Sequence, residues 1–199
     1  DRLAQYFRPF GFGEITGIDI GKEYKGTIPN TAYMNKRYGR FGWSKGSLLN
    51  FCIGQGEILV TPIQVFNYTN LLATKGNANS PHLVSSIKKE SKNEIPLDPQ
   101  IWDRIIFDMG QVVSHAKGTG KNADPVIQGA EIYGKTGTAE NPHGEDHAWF
   151  IGWVQYEERK FSIVVLLENS GSGGAIAAPL AKNVFNSIIL GIQNSNQIL

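Results

Sequence analysis

A layered α/β domain, with an antiparallel sheet flanked by helices, is the fold class this sequence predicts. Three observations carry it. Three strand-like runs, Glu131 to Thr138, His147 to Tyr156 and Lys160 to Leu167, follow one another closely, the last two joined at Glu157-Glu158-Arg159, a hairpin by length and charge. Segments with apolar residues at helical spacing stand before and after that set. The chain has 199 residues, of which 41% are hydrophobic, enough for one sizeable core, so one domain over residues 1–199 is the default.

Composition excludes several function classes. With 19 basic and 18 acidic residues, a formal net charge of +1 makes no case for nucleic-acid binding. Cys52 is the only cysteine, which leaves no internal disulfide and no cysteine zinc site. No apolar run approaches the roughly 20 residues of a membrane span, and no signal-peptide pattern opens the chain. The chain starts at Asp1 in what reads as a helix already under way, and is expected to be a piece of a longer protein.

The elements follow in order. Asp1 to Pro9 reads as the end of a helix, stopped by Pro9 and Gly11. Gly11 to Pro29 is rich in glycine and turn formers and reads as a surface excursion, with an apolar alternation at Ile15 to Ile20. Asn30 to Lys36 has the length of a short helix. Tyr38 to Lys45 carries Tyr38, Phe41 and Trp43 among glycines and basic residues, either as binding aromatics in a loop or as lids over a core edge. In the next stretch Gly54 and Gly56 bracket Gln55, a tight backbone passage. Thr61-Pro62 is an N-cap followed by proline at the first helical position. The helix it opens carries Ile63, Phe66, Leu71 and Leu72 on an apolar face and ends at Gly76. The lone glycine pair before it opens no strand–GxGxxG–helix unit, so no dinucleotide site is expected.

Ser80 to Leu97 alternates and turns at Lys92-Asn93, predicting a hairpin of Leu83 to Lys88 and Asn93 to Leu97. Asp98-Pro99 caps a helix with a buried stripe of Ile101, Ile105, Met109 and Val112. Gly118 to Gln128 is a polar loop before the three strands. After the glycine turn Ser170 to Gly174, Ile176 to Leu190 predicts a closing helix with Leu180, Val184, Ile188 and Ile189 inward.

The stretch richest in chemistry is Gly134-Lys135-Thr136-Gly137-Thr138-Ala139-Glu140. On a strand, Lys135 and Gly137 share one face, and Thr136 and Thr138 the other. Without a Cβ at Gly137, a ligand or another backbone can come close. An ammonium group, hydroxyls and open N–H groups at a strand edge suit a carboxylate and an extended peptide. The same residues fit an ordinary strand with a solvent-facing lysine. Other patterns have plain readings. Ser114-His115-Ala116-Lys117 fits S-x-x-K, but stands at a helix C-terminus, where cations suit the dipole. Two further S-x-x-K matches, Ser85 to Lys88 and Ser86 to Lys89, fall in an expected strand. Ser91-Lys92-Asn93 fits S-x-N at an expected turn. Gly118-Thr119-Gly120-Lys121 resembles part of a phosphate loop but lacks a glycine at His115 and a hydroxyl at Asn122. His143, Glu145, Asp146 and His147 hold metal-ligand chemistry, but they lie in a polar connection after Asn141-Pro142, where a solvated turn is the preferred reading.

Taken together, GKTGTAE, the AWFIGW strand (Ala148 to Trp153), IGQG (Ile53 to Gly56) and TPIQ (Thr61 to Gln64) resemble the transpeptidase domain of class B penicillin-binding proteins. The stretch TGIDIGKEYKGTIPN from Thr16 to Asn30, Trp43, Lys45-Gly46 and SPHLV from Ser80 to Val84 are similar to the elongation-type branch, penicillin-binding protein 2. The resemblance runs from about Phe10 to the closing helix. It implies the fold of serine β-lactamases and D,D-transpeptidases, in which S-x-x-K, S-x-N and K-[ST]-G motifs meet. Only the third is matched here, by Lys135, Thr136 and Gly137, followed by the hydroxyl of Thr138.

The resemblance implies further roles. Lys135 organises the nucleophile network, Thr136 and Thr138 hold a carboxylate, and the Thr138 N–H supplies half of an oxyanion hole. Lys135 and Thr138 are thus the candidate catalytic residues, and Thr136, Gly137 and Thr138 the substrate-binding ones. In the family the other two motifs precede the segment resembling Phe10 to Pro29. The nucleophile is therefore expected outside this chain, the fold is expected to be incomplete without it, and the isolated chain is expected not to be acylated by penicillin. The implied activity is peptidoglycan D,D-transpeptidation through an acyl-serine, without cofactor or metal. The alternatives are a β-lactamase or penicillin sensor on the same fold, or a non-catalytic interaction domain. Implied partners are peptidoglycan stem peptides, β-lactams and a membrane glycosyltransferase. The implied location is the extracytoplasmic side of a bacterial inner membrane, reached through an N-terminal anchor.

Overall fold

A computed structural model describes residues 1–85 and 92–196. They divide into two compact units, Asp1–Leu71 with Gly76–Ile95, and Leu72–Lys75 with Pro96–Leu199.

The first unit opens with α1 (Arg2–Phe7) and a 3-10 turn, Arg8–Phe10, closed by Gly11 in the left-handed conformation. Helix α2 (Thr31–Tyr38) is capped by Asn30, whose side chain accepts from the Tyr33 N–H. A short α3 (Ser47–Cys52) leads to Gly54 and Gly56, both at φ 76°, the tight passage expected around Gln55. Helix α4 (Pro62–Ala73) begins with a reciprocal capping box. The Gln64 N–H donates to Thr61 Oγ1 at 3.3 Å, and the Thr61 N–H donates to Gln64 Oε1 at 2.9 Å.

The rest of Gln64 explains the long excursion before it. Its Nε2 donates to the carbonyls of Glu14 (2.7 Å) and Lys25 (2.8 Å), and the side chain is fully buried. The alternation at Ile15 to Ile20 forms no strand. This segment is instead held by carboxylates and by one bridge, Thr27 to Leu59. Glu23 accepts from the N–H groups of Thr16 and Gly17, and Asp19 from those of Leu83 and Val84. Thus the excursion from Glu14 to Lys25 is tied to TPIQ at its two ends through Gln64 and to SPHLV through Asp19.

The expected hairpin is displaced. The two-stranded sheet pairs β1 (Asn77–Asn79) with β2 (Lys92–Glu94), so Lys92-Asn93 lies in a strand and not at a turn. Burial of Ala78 and Ile95 decides this register, and the Ile95 N–H continues it onto the Gly76 carbonyl at 3.0 Å. Residues 83–85 are not in a strand, and the remainder of that expected strand lies outside the described residues.

The second unit holds the predicted antiparallel sheet. Its strands are β3 (Ala130–Ala139), β4 (His147–Tyr156) and β5 (Arg159–Leu167), in the order β3-β4-β5. Helix α5 (Pro99–Ser114) precedes the sheet and is capped by Asp98, which accepts from the Gln100 N–H. A short 3-10 turn, Lys121–Ala123, follows it. After β5 a π-helical turn, Gly173–Ala177, runs into α6 (Ala178–Asn196).

One face of the sheet packs Ile132, Phe150 and Val154 against Ala177, Ala181, Phe185 and Ile189. This rotates α6 from the expected face: Leu180 and Val184 are 41% and 43% exposed, while Ala178, Ala181 and Phe185 are buried. Alanines let the helix axis approach the sheet, and Phe185 supplies the apolar area. By length and composition Gly173–Ser195 is apolar enough to cross a membrane, and its alanine face is spent on this core. Helix α5 is rotated too. Trp102, Met109 and Val113 are buried and Ile101 is 48% exposed, because the large indole takes the inward position.

Two motif glycines have a packing role. Gly134 and Gly152 are paired across β3 and β4, and the fully buried Phe150 ring lies over them. A Cβ on Gly134 would sit 2.4 Å from Phe150 Cζ, and one on Gly152 would sit 2.2 Å from the Tyr133 carbonyl oxygen.

Candidate functional site

Strand β3 lies at the edge of its sheet, so alternate backbone groups on its outer side have no strand partner. Its register places Lys135 opposite Ile151, Thr136 opposite Phe150, Gly137 opposite Trp149 and Thr138 opposite Ala148. The alternation inferred from the sequence therefore holds, with Thr136 and Thr138 on one face and Lys135 and Gly137 on the other.

The two threonine side chains line a cleft of about 410 Å³, shared with the loop after α5 and the turn before α6. Thr119 Oγ1 lies 2.8 Å from Thr136 Oγ1. The Gly173 N–H reaches Thr138 Oγ1 at 3.4 Å, and Asn122 Nδ2 donates to the Gly174 carbonyl at 3.1 Å, tying the two loops together. Ser172 adds a hydroxyl and Lys121 a cation, and no carboxylate lines the cleft among the described residues. Hydroxyl donors with a single cation and no acid form a surface for an anion with acceptor oxygens.

The close backbone approach expected near Gly137 comes from the chain itself. A Cβ on Gly173 would lie 2.3 Å from the Gly137 carbonyl oxygen, so only glycine permits the turn to sit there. On the other face, the exposed Lys135 ammonium donates to the Thr136 carbonyl at 2.6 Å. Lys135 and the threonine hydroxyls thus flank the strand without meeting.

Behind Lys135 the strand is anchored by Tyr133. Its ring stacks on the buried Trp153 with centroids 5.0 Å apart and planes at 12°. Its hydroxyl donates to Glu131 at 2.8 Å. Burial, then the bond to Glu131 and that carboxylate's charge, push the phenol up to about 12, so it stays a neutral donor at any ordinary pH.

The other sequence candidates have structural employment. Ser114, the last residue of α5, donates to the Gly110 carbonyl of its own helix at 3.0 Å. The matches at Ser85, Ser86 and Ser91 extend into residues outside the described ones. In the β3–β4 connection, His147 Nδ1 accepts from the Asn169 N–H at 3.0 Å, and Asn141 Oδ1 accepts from the His143 N–H at 3.1 Å. The Asp146 carboxylate accepts from the Asn141 N–H at 3.3 Å, and its backbone carbonyl from Ser170 and Gly171. These groups build a turn, and no group of three potential metal ligands converges among the described residues. Of the loop aromatics, Tyr38 donates to Glu57 and Trp43 Nε1 donates to Asn35 at 2.8 Å, while Phe41 is 94% exposed.

Thr119, Lys121, Asn122 and Ser172 are among the cleft residues that sequence reasoning missed. The only available signal was the glycine-flanked Thr119, read as a failed phosphate loop.

Comparisons with known proteins give the family and the fold. Residues 1–186 match the model of the penicillin binding protein transpeptidase domain. The peptidoglycan D,D-transpeptidase MrdA of Haemophilus influenzae is 36% identical over 211 residues, covering 94% of this chain and 32% of that protein. Penicillin-binding protein 2 of Pseudomonas aeruginosa, solved in complex with WCK 5153, is 34% identical with a TM-score of 0.83 over 96% of this chain and 42% of its own. Penicillin-binding protein 2 of Helicobacter pylori, solved in complex with MreC, is 31% identical with a TM-score of 0.77 over 93% of this chain and 35% of its own. The chain therefore spans about a third of the curated relatives it matches.

Proposed function

This chain belongs to the penicillin binding protein transpeptidase domain family, and from that premise we propose that it forms one wall of the active site of a peptidoglycan D,D-transpeptidase. The observation that carries the reading is the edge strand β3. It presents Thr136 and Thr138 to a cleft without carboxylates among the described residues on one face, and an exposed Lys135, bonded only to its own strand's Thr136 carbonyl, on the other.

In the complete protein a serine outside these 199 residues attacks the carbonyl of the penultimate D-alanine of a stem peptide. The peptide bond breaks, D-alanine leaves with the proton, and an acyl-serine remains. An amine of a neighbouring stem then attacks the ester, forms the cross-link and returns the serine. Lys135 lies on the face that would meet the nucleophile segment, where its charge favours the ionised groups of the serine–lysine network. Thr136 and Thr138 donate to the substrate carboxylate, and the outward N–H of Thr138 stabilises the oxyanion. Removing one such donor typically costs about 10²- to 10³-fold in rate. β-Lactams, with a carboxylate beside a strained amide, take the same place and acylate the serine.

The same reading places the complete protein in the bacterial inner membrane, anchored by an N-terminal segment, with this domain on the extracytoplasmic side. A membrane glycosyltransferase of the elongation machinery is the expected enzymatic partner, and a protein like MreC, seen in complex with the Helicobacter pylori relative, is a second. Labelling with a fluorescent penicillin tests the reading. The complete protein becomes labelled on a serine outside residues 1–199, and this chain alone stays unlabelled. A label on a serine of the isolated chain overturns the assignment.

A further inference from the structure

We propose that Thr119 is a positioning residue of the carboxylate site, its hydroxyl donating to Thr136 Oγ1 so that the Thr136 proton is left for the ligand. The inference rests on the carboxylate-binding role given above to Thr136 and Thr138, and adds a residue from another segment.

The proton count makes the argument. Each threonine hydroxyl has one proton to donate and two lone pairs that accept. Thr119 and Thr136 stand with their oxygens 2.8 Å apart, and either can be the donor. A carboxylate has acceptors only, so it binds Thr136 only when the Thr136 proton points into the cleft. That state requires Thr119 to donate to Thr136. An arriving carboxylate therefore selects one direction along the chain Thr119, Thr136, ligand. A hydroxyl that is itself accepting a hydrogen bond becomes a better donor.

The loop holds Thr119 in place for this. The Gly120 N–H donates to the Val112 carbonyl at 2.9 Å, docking the loop on the last turn of α5. A Cβ on Gly118 would lie 2.2 Å from the same Val112 oxygen. A Cβ on Gly174 would lie 2.5 Å from the Thr119 carbonyl oxygen, so the turn before α6 closes on Thr119 from the other side. Glycine on each side of Thr119, and glycine where the facing turn meets it, fix the backbone while the hydroxyl stays at the cleft surface. The tripeptide Gly118-Thr119-Gly120 is thus a mount for one hydroxyl.

The test uses the complete protein, with its serine nucleophile, and two probes: a β-lactam with a free carboxylate and its methyl ester. The second-order acylation constant is measured for each. Thr119→Val is expected to lower the constant for the acid about two- to fourfold, the share that cooperativity adds to one charge-assisted hydrogen bond. The constant for the ester falls less, because its neutral oxygens accept the same Thr136 proton in a weaker hydrogen bond, and Thr119→Ser restores the acid value. Thr119→Ala repeats the test should valine disturb the loop. An unchanged acid-to-ester ratio in Thr119→Val and Thr119→Ala overturns the proposal, and so does an equal loss on both probes. Thr136→Val, measured in parallel, separates the two readings. If it collapses the ratio while the Thr119 variants do not, only the role of Thr119 falls. If Thr136→Val also leaves the ratio intact, the carboxylate site itself falls.

Discussion

Two motifs of this chain look alike in sequence and differ in physics. Thr61-Pro-Ile-Gln64 and Lys135-Thr-Gly-Thr138 are both short, polar and set between apolar runs. In the first, every polar group is used internally: Gln64 is fully buried and its amide serves Thr61, Glu14 and Lys25. In the second, the hydroxyls of Thr136 and Thr138 stand at a cleft with capacity to spare. A motif whose donors and acceptors are all matched inside the fold holds the fold. A motif with spare donors around an empty volume is built for something that arrives.

Substitutions sharpen this contrast. The largest effect is expected at Gln64→Ala, which takes the partner from the Glu14 and Lys25 carbonyls, empties a fully buried site and unmakes the capping box. A loss of about 3 kcal/mol follows from three hydrogen bonds at about 1 kcal/mol each. Urea unfolding measures it, and a loss below about 1 kcal/mol would erase the distinction between the two motifs. Next is Lys135→Ala in the complete protein. Acylation by penicillin should fall about 10²-fold, with the thermal midpoint unchanged because the ammonium is exposed and its one bond is local. Wild-type acylation in that variant removes Lys135 from the site. Third, Gly134→Ala drives a methyl into the Phe150 ring and should cost about 2 kcal/mol of stability. It shows that the first glycine of the KTG strand belongs with Gln64 and not with the threonines.

The smallest effect concerns pH. Tyr133 titrates near 12 in the fold, above the unfolded value of 10.0. The folded state thus keeps a proton that the unfolded chain releases. This contribution to stability is complete below pH 10 and is lost as pH rises through about 12. Tyr133→Phe should flatten the decline in unfolding midpoint between those pH values, and an identical decline in the variant would count against it.

How much was legible in the sequence depends on what decided each feature. The three-stranded sheet was readable because alternation over Glu131 to Leu167 is a local signal, and its register follows from two short connections. The same alternation placed Lys135 opposite to Thr136 and Thr138. The inward stripes of α5 and α6 were read correctly at Met109 and Ile189 and wrongly at Ile101, Leu180 and Val184, in α6 because hydropathy ranks Leu180 and Val184 above Ala181. A helix pressed against a sheet instead favours small residues at the contact and one large ring such as Phe185. Thr119 escaped notice because its partner is 17 residues away and its place depends on how a glycine loop docks on α5. The displaced hairpin failed for a related reason, since Ile95 fixes β2 by burial and not by turn chemistry.

The Phe150 ring over Gly134 and Gly152 has a consequence for how this site can change over generations. The strand that carries the threonines is tied to the core through one aromatic, so a side chain added at Gly134 unsettles the fold before it can alter the cleft. The side chains free to vary are those at the cleft surface, Thr119, Asn122 and Ser172, whose neighbours Gly118, Gly173 and Gly174 are held to glycine by backbone contacts. Replacing one of those three side chains can alter the cleft without adding bulk between turn and sheet.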